Sequence, residues 1–415
     1  MIKRNTLRSL LLSVCLLPLV FVPVFGGKAE RITLKLWTYH ANTVMANRLA
    51  WEAAAYAKSH PGIIVDIREL HNSDLNPELL KGITMGVTPD IAILDSPDLP
   101  YFAVRGALLD LTERVKTWGQ SGKYLPMPWR TCIWQGRIYG IPQNSNTLCL
   151  FYNKDLFKKA GITNPPGRWT ELVEDARKLT DRGRGVFGLT LSAIWTESCV
   201  FQWLPFLWQN GGDIHRLTGG EAAEALQLWV DLLKSGYVSR EIINFTQADS
   251  IQQFASGKAA MAVNGSWQVP ELRGRLKPAF QWGVALLPFS KTEASALGGE
   301  DWVIVNDRHA GVAWDYICWT QEKKRLEQHY IAGGRLPSRS DIAAESDYWR
   351  KDPIYAVFIE QLKTSRLRGP SPNWLQISQA IQIAMQQALT GEKSVKQALA
   401  AADAKIKPLL AQVVD

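Results

Sequence analysis

The pattern of apolar and polar positions after residue 30 predicts strands that alternate with helices. Short stretches alternate apolar and polar residues with the period of two that is typical of strands, and Ala-rich stretches of helical period lie between them. Strands are predicted at 32–37, 63–67 and 91–94, and helices at 44–59 and 78–85. Strands separated by helices favour a parallel sheet that is covered on both faces.

Polar and aromatic side chains follow two of these strands. Tyr39 and His40 come after the first strand, and Asp95 comes after the third. Ligands of such sheets bind beyond the carboxyl ends of the strands. We therefore predict that all three residues face a ligand cleft, although His40 is also compatible with a hydrogen-bonded polar residue that touches no ligand.

The rest of the chain is predicted to be mainly helical with short strands, so the fold class is α/β. The predicted strands are 137–142, 148–152, 186–190, 259–263, 282–286 and 302–305; the predicted helices are 155–160, 169–180, 197–209, 221–234, 251–256, 310–331, 354–363, 375–390 and 395–410. About 385 residues exceed one compact core, which predicts two lobes.

The first 29 residues have the composition of a secretory signal peptide. Lys3, Arg4 and Arg8 precede an apolar run at 10–25, and small residues follow it. We therefore expect the mature chain to begin near Glu30 and to be periplasmic or otherwise extracytoplasmic. An uncleaved membrane anchor and a lipid on Cys15 are the alternatives.

Charge and cysteine spacing exclude several classes of function. The net charge is +8, but the basic residues are dispersed and form no patch of the kind that nucleic acid needs. Cysteines 132, 149, 199 and 318 show no C-x-x-C spacing, so neither a zinc site nor a redox motif is predicted. Any of three disulfide pairings remains open. We expect no metal and no cofactor.

Seventeen tryptophans are an unusual number for 415 residues. An indole ring stacks on the apolar face of a sugar, and its N–H still donates a hydrogen bond. Most of these rings are expected to be packing residues, and six lie at core spacing: Trp51, Trp118, Trp229, Trp282, Trp314 and Trp319.

Short motifs spread over the mature chain carry a family resemblance. They are Pro89-Asp90-Ile91, Tyr139-Gly140-Ile141-Pro142, the run 151–161, Trp208-Gln209-Asn210-Gly211-Gly212, Ala259-Ala260-Met261 before Asn264-Gly265-Ser266-Trp267, Leu287-Pro288, Gly298-Gly299 and Leu336-Pro337-Ser338-Arg339. With these motifs in this order, the chain resembles family 1 of the extracellular solute-binding proteins of sugar ABC importers, the group that includes maltose-binding protein.

The resemblance implies a two-lobed periplasmic-binding-protein fold of type II, with three crossings between the lobes. We expect one lobe to comprise 30–142 and 298–334, and the other 148–288 and 338–415. The crossings would be 143–147, 289–297 and 335–337. The implied function is to bind a sugar or oligosaccharide between the lobes, as a monomer, and to deliver it to the membrane permease of an ABC importer.

Candidate ligand residues combine aromatic platforms with polar groups. The family often places a stacking aromatic at the position of Trp267, which follows an Asn-Gly-Ser turn. Trp195 precedes a predicted helix in a polar setting, and Trp374 precedes the next-to-last one. Arg335 lies in the third crossing, where a hinge salt bridge is the alternative role.

The stretch Gly299-Glu300-Asp301-Trp302 places two carboxylates at the start of a strand. Carboxylates here suggest recognition of hydroxyls or of an amino group, and the alternative is a solvated turn before Trp302 enters the core. Because neighbouring residues point to opposite faces of a strand, Glu300 and Asp301 make a poor catalytic pair. An enzyme is therefore not expected; a secreted carbohydrate-active enzyme and a binding protein for glycerol phosphate or another polar solute are the alternatives.

Overall fold

A computed structural model of the chain describes residues 31–40, 43–71 and 73–412. The predicted signal peptide and Cys15 lie outside the described residues. The strands are β1 Ile32–Thr38, β2 Ile63–Glu69, β3 Ile91–Asp95, β4 Ile133–Trp134, β5 Arg137–Ile138, β6 Gly140–Pro142, β7 Leu148–Asn153, β8 Phe187–Thr190, β9 Ala259–Gly265, β10 Trp282–Ala285, β11 Ser295–Ala296, β12 Glu300–Ile304 and β13 Ser365–Arg366.

The α-helices are distributed over the whole described chain and pack on both faces of the sheets. They are α1 Val44–Ser59, α2 Leu75–Met85, α3 Leu99–Ala103, α4 Thr112–Trp118, α5 Pro126–Thr131, α6 Lys154–Lys159, α7 Trp169–Leu179, α8 Glu197–Gln209, α9 Gly220–Lys234, α10 Gln247–Ala255, α11 Gln268–Arg273, α12 Ala310–Thr320, α13 Lys323–Gly333, α14 Ser340–Glu345, α15 Asp347–Lys351, α16 Pro353–Leu362, α17 Trp374–Thr390 and α18 Val395–Ala411.

The first sheet has the strand order β2-β1-β3-β12-β6. Strand β1 pairs in parallel with β2 and β3, as the alternation of strands and helices predicts. Strand β12 runs antiparallel to both β3 and β6, so the sheet is mixed rather than wholly parallel. This direction brings the beginning of β12 beside the end of β3, with Glu300 opposite Asp95.

The second sheet has the order β10-β7-β9-β8 and packs against the long helices α8, α9, α17 and α18. Every residue of α8 from Cys199 to Gln209 is buried. A helix that is apolar on all sides is expected to lie inside a core. Its Trp203 and Phe206 pack in one cluster with Trp229 of α9, which the helical spacing predicted as a packing residue.

Two connections link the two sheets, and the segment between α13 and α14 lies beside them. Residues 143–147 join β6 to β7, and residues 286–299 lead from β10 through β11 to β12. Backbone hydrogen bonds join Ser145 and Leu336 in both directions, at 3.0 and 2.8 Å, and the amide of Asn146 donates to the carbonyl of Gly298 at 2.9 Å. The three segments that the resemblance implies as crossings are therefore neighbours in space.

One packing prediction is wrong. Trp51 lies on the outer face of α1 with 51% of its surface exposed. The guanidinium of Arg48 lies 4.4 Å from the centre of its ring. When an arginine covers a tryptophan on the surface of a helix, the ring needs no apolar partner, because the guanidinium cation occupies its face.

Candidate functional site

A cleft with a volume of about 510 Å³ lies between the two sheets. The first sheet contributes Tyr39 and His40 after β1, Asp95 at the end of β3, and Gly299 and Glu300 at the beginning of β12. The other side of the cleft is formed by residues that follow β9, by the beginning of α8, and by Arg335 and Arg368. Polar groups converge here because the ends of β1 and β3 and the start of β12 meet at one edge of the sheet.

Glu300 is the centre of a buried hydrogen-bond network. The hydroxyl of Tyr39 donates to its Oε1 at 2.7 Å, and Nη2 of Arg335 lies 3.3 Å from the same oxygen. The side-chain amide of Asn144 donates to Oε2. Burial acts to raise the pKa of Glu300, but the charge of Arg335 and these hydrogen bonds outweigh it and hold the pKa below its usual value. Glu300 is therefore an ionised acceptor at neutral pH.

His40 contributes no charge to the cleft. Its side chain is 2% exposed, and burial lowers its pKa to about 3. The Nε2 atom of the ring has no hydrogen-bond partner among the described residues. A neutral imidazole beside the Glu300 network offers a hydrogen bond rather than a cation.

Arg368 joins carboxylates from both sides of the cleft. Its two terminal nitrogens donate to Asp95 at 2.6 and 2.8 Å, and Nη1 also donates to Glu197 at 2.9 Å. The guanidinium lies 4.5 Å from the ring of Phe201 on α8. Sequence reasoning missed Arg368 and Glu197, because Glu197 is 171 residues away from Arg368 and Asp95 is 273.

Trp267 forms part of the floor of the cleft. The indole is half-buried and folds back over the end of β9, where a Cβ on Gly265 would lie 1.8 Å from a ring carbon. Only glycine at 265 therefore allows this ring position. The ring of Phe201 lies 6.2 Å away, and the guanidinium of Arg335 lies 5.7 Å from the ring centre.

Two of the predicted ligand residues lie away from the cleft. Asp301 points to the face of β12 opposite Glu300, where its Oδ1 accepts from the hydroxyl of Thr131 at 3.0 Å. Burial raises its pKa to about 8. Trp302 shares the face of Glu300 but lies one pleat deeper, fully buried against Tyr316 of α12 at 6.0 Å. Neither residue is among those that line the cleft, so the structure does not bring them together with the other predicted ligand residues.

The remaining predicted residues occupy three different positions. Trp374 is fully buried at the start of α17, outside the cleft, and its Nε1 donates to Glu197 at 3.2 Å. Trp195 is 59% exposed and lies beside the cleft rather than in it. Gly299 lines the cleft with φ at +148°, and a Cβ there would lie 2.4 Å from the carbonyl oxygen of Asn144. Glycine is thus required by the close approach of the backbone of the first crossing.

The four described cysteines are free thiols, and three of them are buried. Within the described ranges, no group of three His, Cys, Asp or Glu side chains is arranged to hold a metal ion. No helix of the described chain combines the length and the apolar character that a membrane crossing needs.

Residues 51–357 match the model of the bacterial extracellular solute-binding proteins, and the chain belongs to this family. The membership confirms the predicted resemblance. A binding protein of Brucella abortus (strain 2308) is 27% identical over 369 residues, covering 85% of this chain and 88% of that protein. The sn-glycerol-3-phosphate-binding periplasmic protein UgpB of Brucella melitensis is 25% identical, covering 79% and 80%. These findings confirm the predicted extracytoplasmic location.

Solved structures of binding proteins confirm the predicted two-lobed α/β fold. A solute-binding protein of Thermotoga lettingae, bound with α-D-tagatose, has a TM-score of 0.85 and 27% identity, covering 91% of this chain and 99% of that one. The cyclic α-maltosyl-1,6-maltose binding protein of Arthrobacter globiformis has a TM-score of 0.74 and 26% identity, covering 92% and 100%.

Proposed function

We propose that this protein is the solute-binding component of an ABC importer and that it binds a neutral sugar or oligosaccharide in the cleft. The observation that carries the proposal is the half-buried indole of Trp267, which lines the same cleft as the ionised Glu300 and as Arg335. A sugar ring needs an apolar platform for its CH face and paired acceptors and donors for its hydroxyls. Relatives that bind α-D-tagatose and a cyclic maltosyl-maltose support the same class of ligand.

Within the part of the chain that the structure describes, two arginines that line the cleft each carry an unpaired buried N–H. The Nε atoms of Arg335 and Arg368 are buried and have no hydrogen-bond partner among the described residues. A buried N–H without a partner costs about 1–3 kcal/mol. Both arginines line the cleft together with the acceptor Glu300, so donors and acceptors are present in one lining.

The charges of the cleft disfavour the alternative ligand, a glycerol phosphate. Each arginine that lines the cleft is within 3.3 Å of a carboxylate: Arg275 of Glu271, Arg335 of Glu300, and Arg368 of Asp95. Glu197 adds a fourth carboxylate to the lining. Among the described residues, a phosphate dianion would therefore meet no uncompensated cation in the cleft and at least one excess negative charge, and such a like-charge arrangement selects against it.

We propose no catalytic step in the cleft. A glycoside hydrolase needs one carboxyl group as an acid and a second as a free base or nucleophile. Here Glu300 is bound to Arg335, and Asp95 and Glu197 are both bound to Arg368. We infer that the protein delivers an unaltered solute to the permease subunits of the importer and acts as a monomer.

A thermal unfolding screen tests this proposal. Neutral monosaccharides, disaccharides, amino sugars and polyols are compared with sn-glycerol 3-phosphate. We expect at least one neutral sugar to stabilise the protein, by about 2.7 kcal/mol at one hundred times its dissociation constant. Stabilisation by sn-glycerol 3-phosphate, with no response to any neutral sugar, would refute the proposal.

A further inference from the structure

A second chamber with a volume of about 450 Å³ lies beside the cleft. The second chamber lies between α2 on one side and the first turns of α17 on the other. Tyr39, Asp95 and Glu197 line both the cleft and the second chamber, so the two spaces share a wall. Each volume is within the range of small-molecule sites.

The shared wall is polar rather than apolar. Asp95 and Glu197 are held in place by Arg368, and the hydroxyl of Tyr39 is oriented by Glu300. Carboxylate oxygens can accept several hydrogen bonds at once. A ligand that carries several hydroxyl groups therefore finds hydrogen-bond acceptors on both sides of this wall.

The second chamber has its own aromatic platform. Trp195 lies in the loop before α8, lines the second chamber, and leaves 59% of its surface exposed. Its position differs from that of Trp51, which is covered by an arginine. An uncovered indole at the edge of a polar chamber is a surface on which a sugar ring can stack.

Side-chain amide groups line the second chamber together with Trp195. Gln376, Gln379 and Gln382 are spaced by three residues on α17 and all line the second chamber. Asn76 of α2 donates to Asp98 at 2.7 Å, and its Oδ1 is buried without a hydrogen-bond partner among the described residues. Side-chain amides both donate and accept, which matches the hydroxyl groups of an uncharged saccharide.

We propose that the second chamber binds a further ring of the same solute, so that the solute is a neutral saccharide of at least two rings. One ring lies on Trp267 in the cleft, and the next lies against Trp195 in the second chamber. This inference rests on the proposed function, since it assumes that the cleft binds sugar.

Calorimetric titrations with matched saccharides test the inference. Glucose, galactose and mannose are compared with maltose, cellobiose, lactose and mannobiose on the wild-type protein and on Trp195→Ala. We expect at least one disaccharide to bind at least tenfold more tightly than its component monosaccharides. We expect Trp195→Ala to weaken that disaccharide about 2- to 12-fold, the contribution of one stacked ring, and to leave the monosaccharides unchanged.

Two further variants separate the possible outcomes. Trp51→Ala removes an indole that is 51% exposed and lines neither space, and it should change no affinity. Gln379→Trp fills the second chamber and should weaken disaccharides but not monosaccharides. Monosaccharides that bind as tightly as every disaccharide, or a Trp195→Ala variant with unaltered affinities, would overturn the inference and leave sugar binding intact. Failure of every saccharide to bind would overturn the proposed function as well.

Discussion

Replacement of Arg368 tests the charge arrangement of the cleft. In Arg368→Met the apolar stem is largely retained, while the cation between Asp95 and Glu197 is lost. The arginine side chain is 3% exposed, and the two carboxylate side chains are 18% and 22% exposed. Removal of one partner of a buried ion pair costs about 3–5 kcal/mol. Because water reaches about one fifth of each carboxylate, we expect a loss near the lower limit, about 3 kcal/mol.

The loss should depend on pH, and the direction follows from Glu197. Burial raises its pKa, and the charge of Arg368 opposes that rise. Without Arg368 the folded-state pKa rises further above the unfolded value of about 4.3. A carboxyl group of this kind takes up a proton in the folded state as the pH falls toward 5, while the unfolded chain stays ionised. The variant should therefore recover part of its stability at pH 5 relative to pH 7.5.

Urea unfolding at the two pH values, followed by circular dichroism, measures this effect. Arg350→Met is the matched control, since Arg350 and Asp347 form a surface pair in which both side chains are more than half exposed. The control should lose no more than about 1 kcal/mol at either pH. A loss for Arg368→Met that equals the control and does not change with pH would refute the reasoning.

Three further predictions concern the strand that carries Glu300. Gly299→Ala should destabilise the protein by about 1–3 kcal/mol in urea unfolding, because residue 299 has a positive φ and lies close to the carbonyl of Asn144. Gly220→Ala is the control, since a Cβ at residue 220 meets open space. A loss of stability for Gly299→Ala that is no larger than for the control would contradict this. Asp301→Asn should gain stability relative to the wild type as the pH rises from 5 to 8. Burial raises the pKa of Asp301 to about 8, so over this pH range the unfolded chain releases a proton that the folded wild type keeps. The wild type therefore loses stability as the pH rises, whereas the amide does not titrate; a difference that stays constant with pH would contradict this. Trp302→Ala should lower the free energy of unfolding by about 3–5 kcal/mol, because it empties a fully buried position. Trp302→Phe should keep the sugar affinity measured by calorimetry, because the ring lies outside the cleft. A Trp302→Phe variant that folds but no longer binds sugar would refute that position of the ring.

Local sequence signals were sufficient for the elements that position the cleft. The predicted helix at 44–59 has the same bounds in the structure, and β1, β2 and β3 begin at the predicted residues. Tyr39, His40 and Asp95 line the cleft because the carboxyl ends of strands share one edge of a sheet. The short helices α3, α4 and α5 were not predicted, since segments of five to seven residues are too short to show a helical period.

Contacts between distant parts of the chain could not be predicted. The partners of Arg368 come from two other elements, and no spacing in the sequence relates them. Strand alternation separates Glu300 from Asp301, but it does not tell which of the two faces the cleft. The depth of Trp302 depends on α12, whose Tyr316 covers it. Pairing between elements, rather than any local pattern, decides each of these positions.

The central claim is that a neutral sugar binds on Trp267 in the cleft. Calorimetric titration of the sugar with the largest thermal response, on the wild type, Trp267→Ala and Trp51→Ala, tests it most directly. We predict one site per chain, a loss of at least about tenfold in affinity for Trp267→Ala from the missing stacking and buried area, and no change for Trp51→Ala. An unaltered affinity in a folded Trp267→Ala variant would contradict the account.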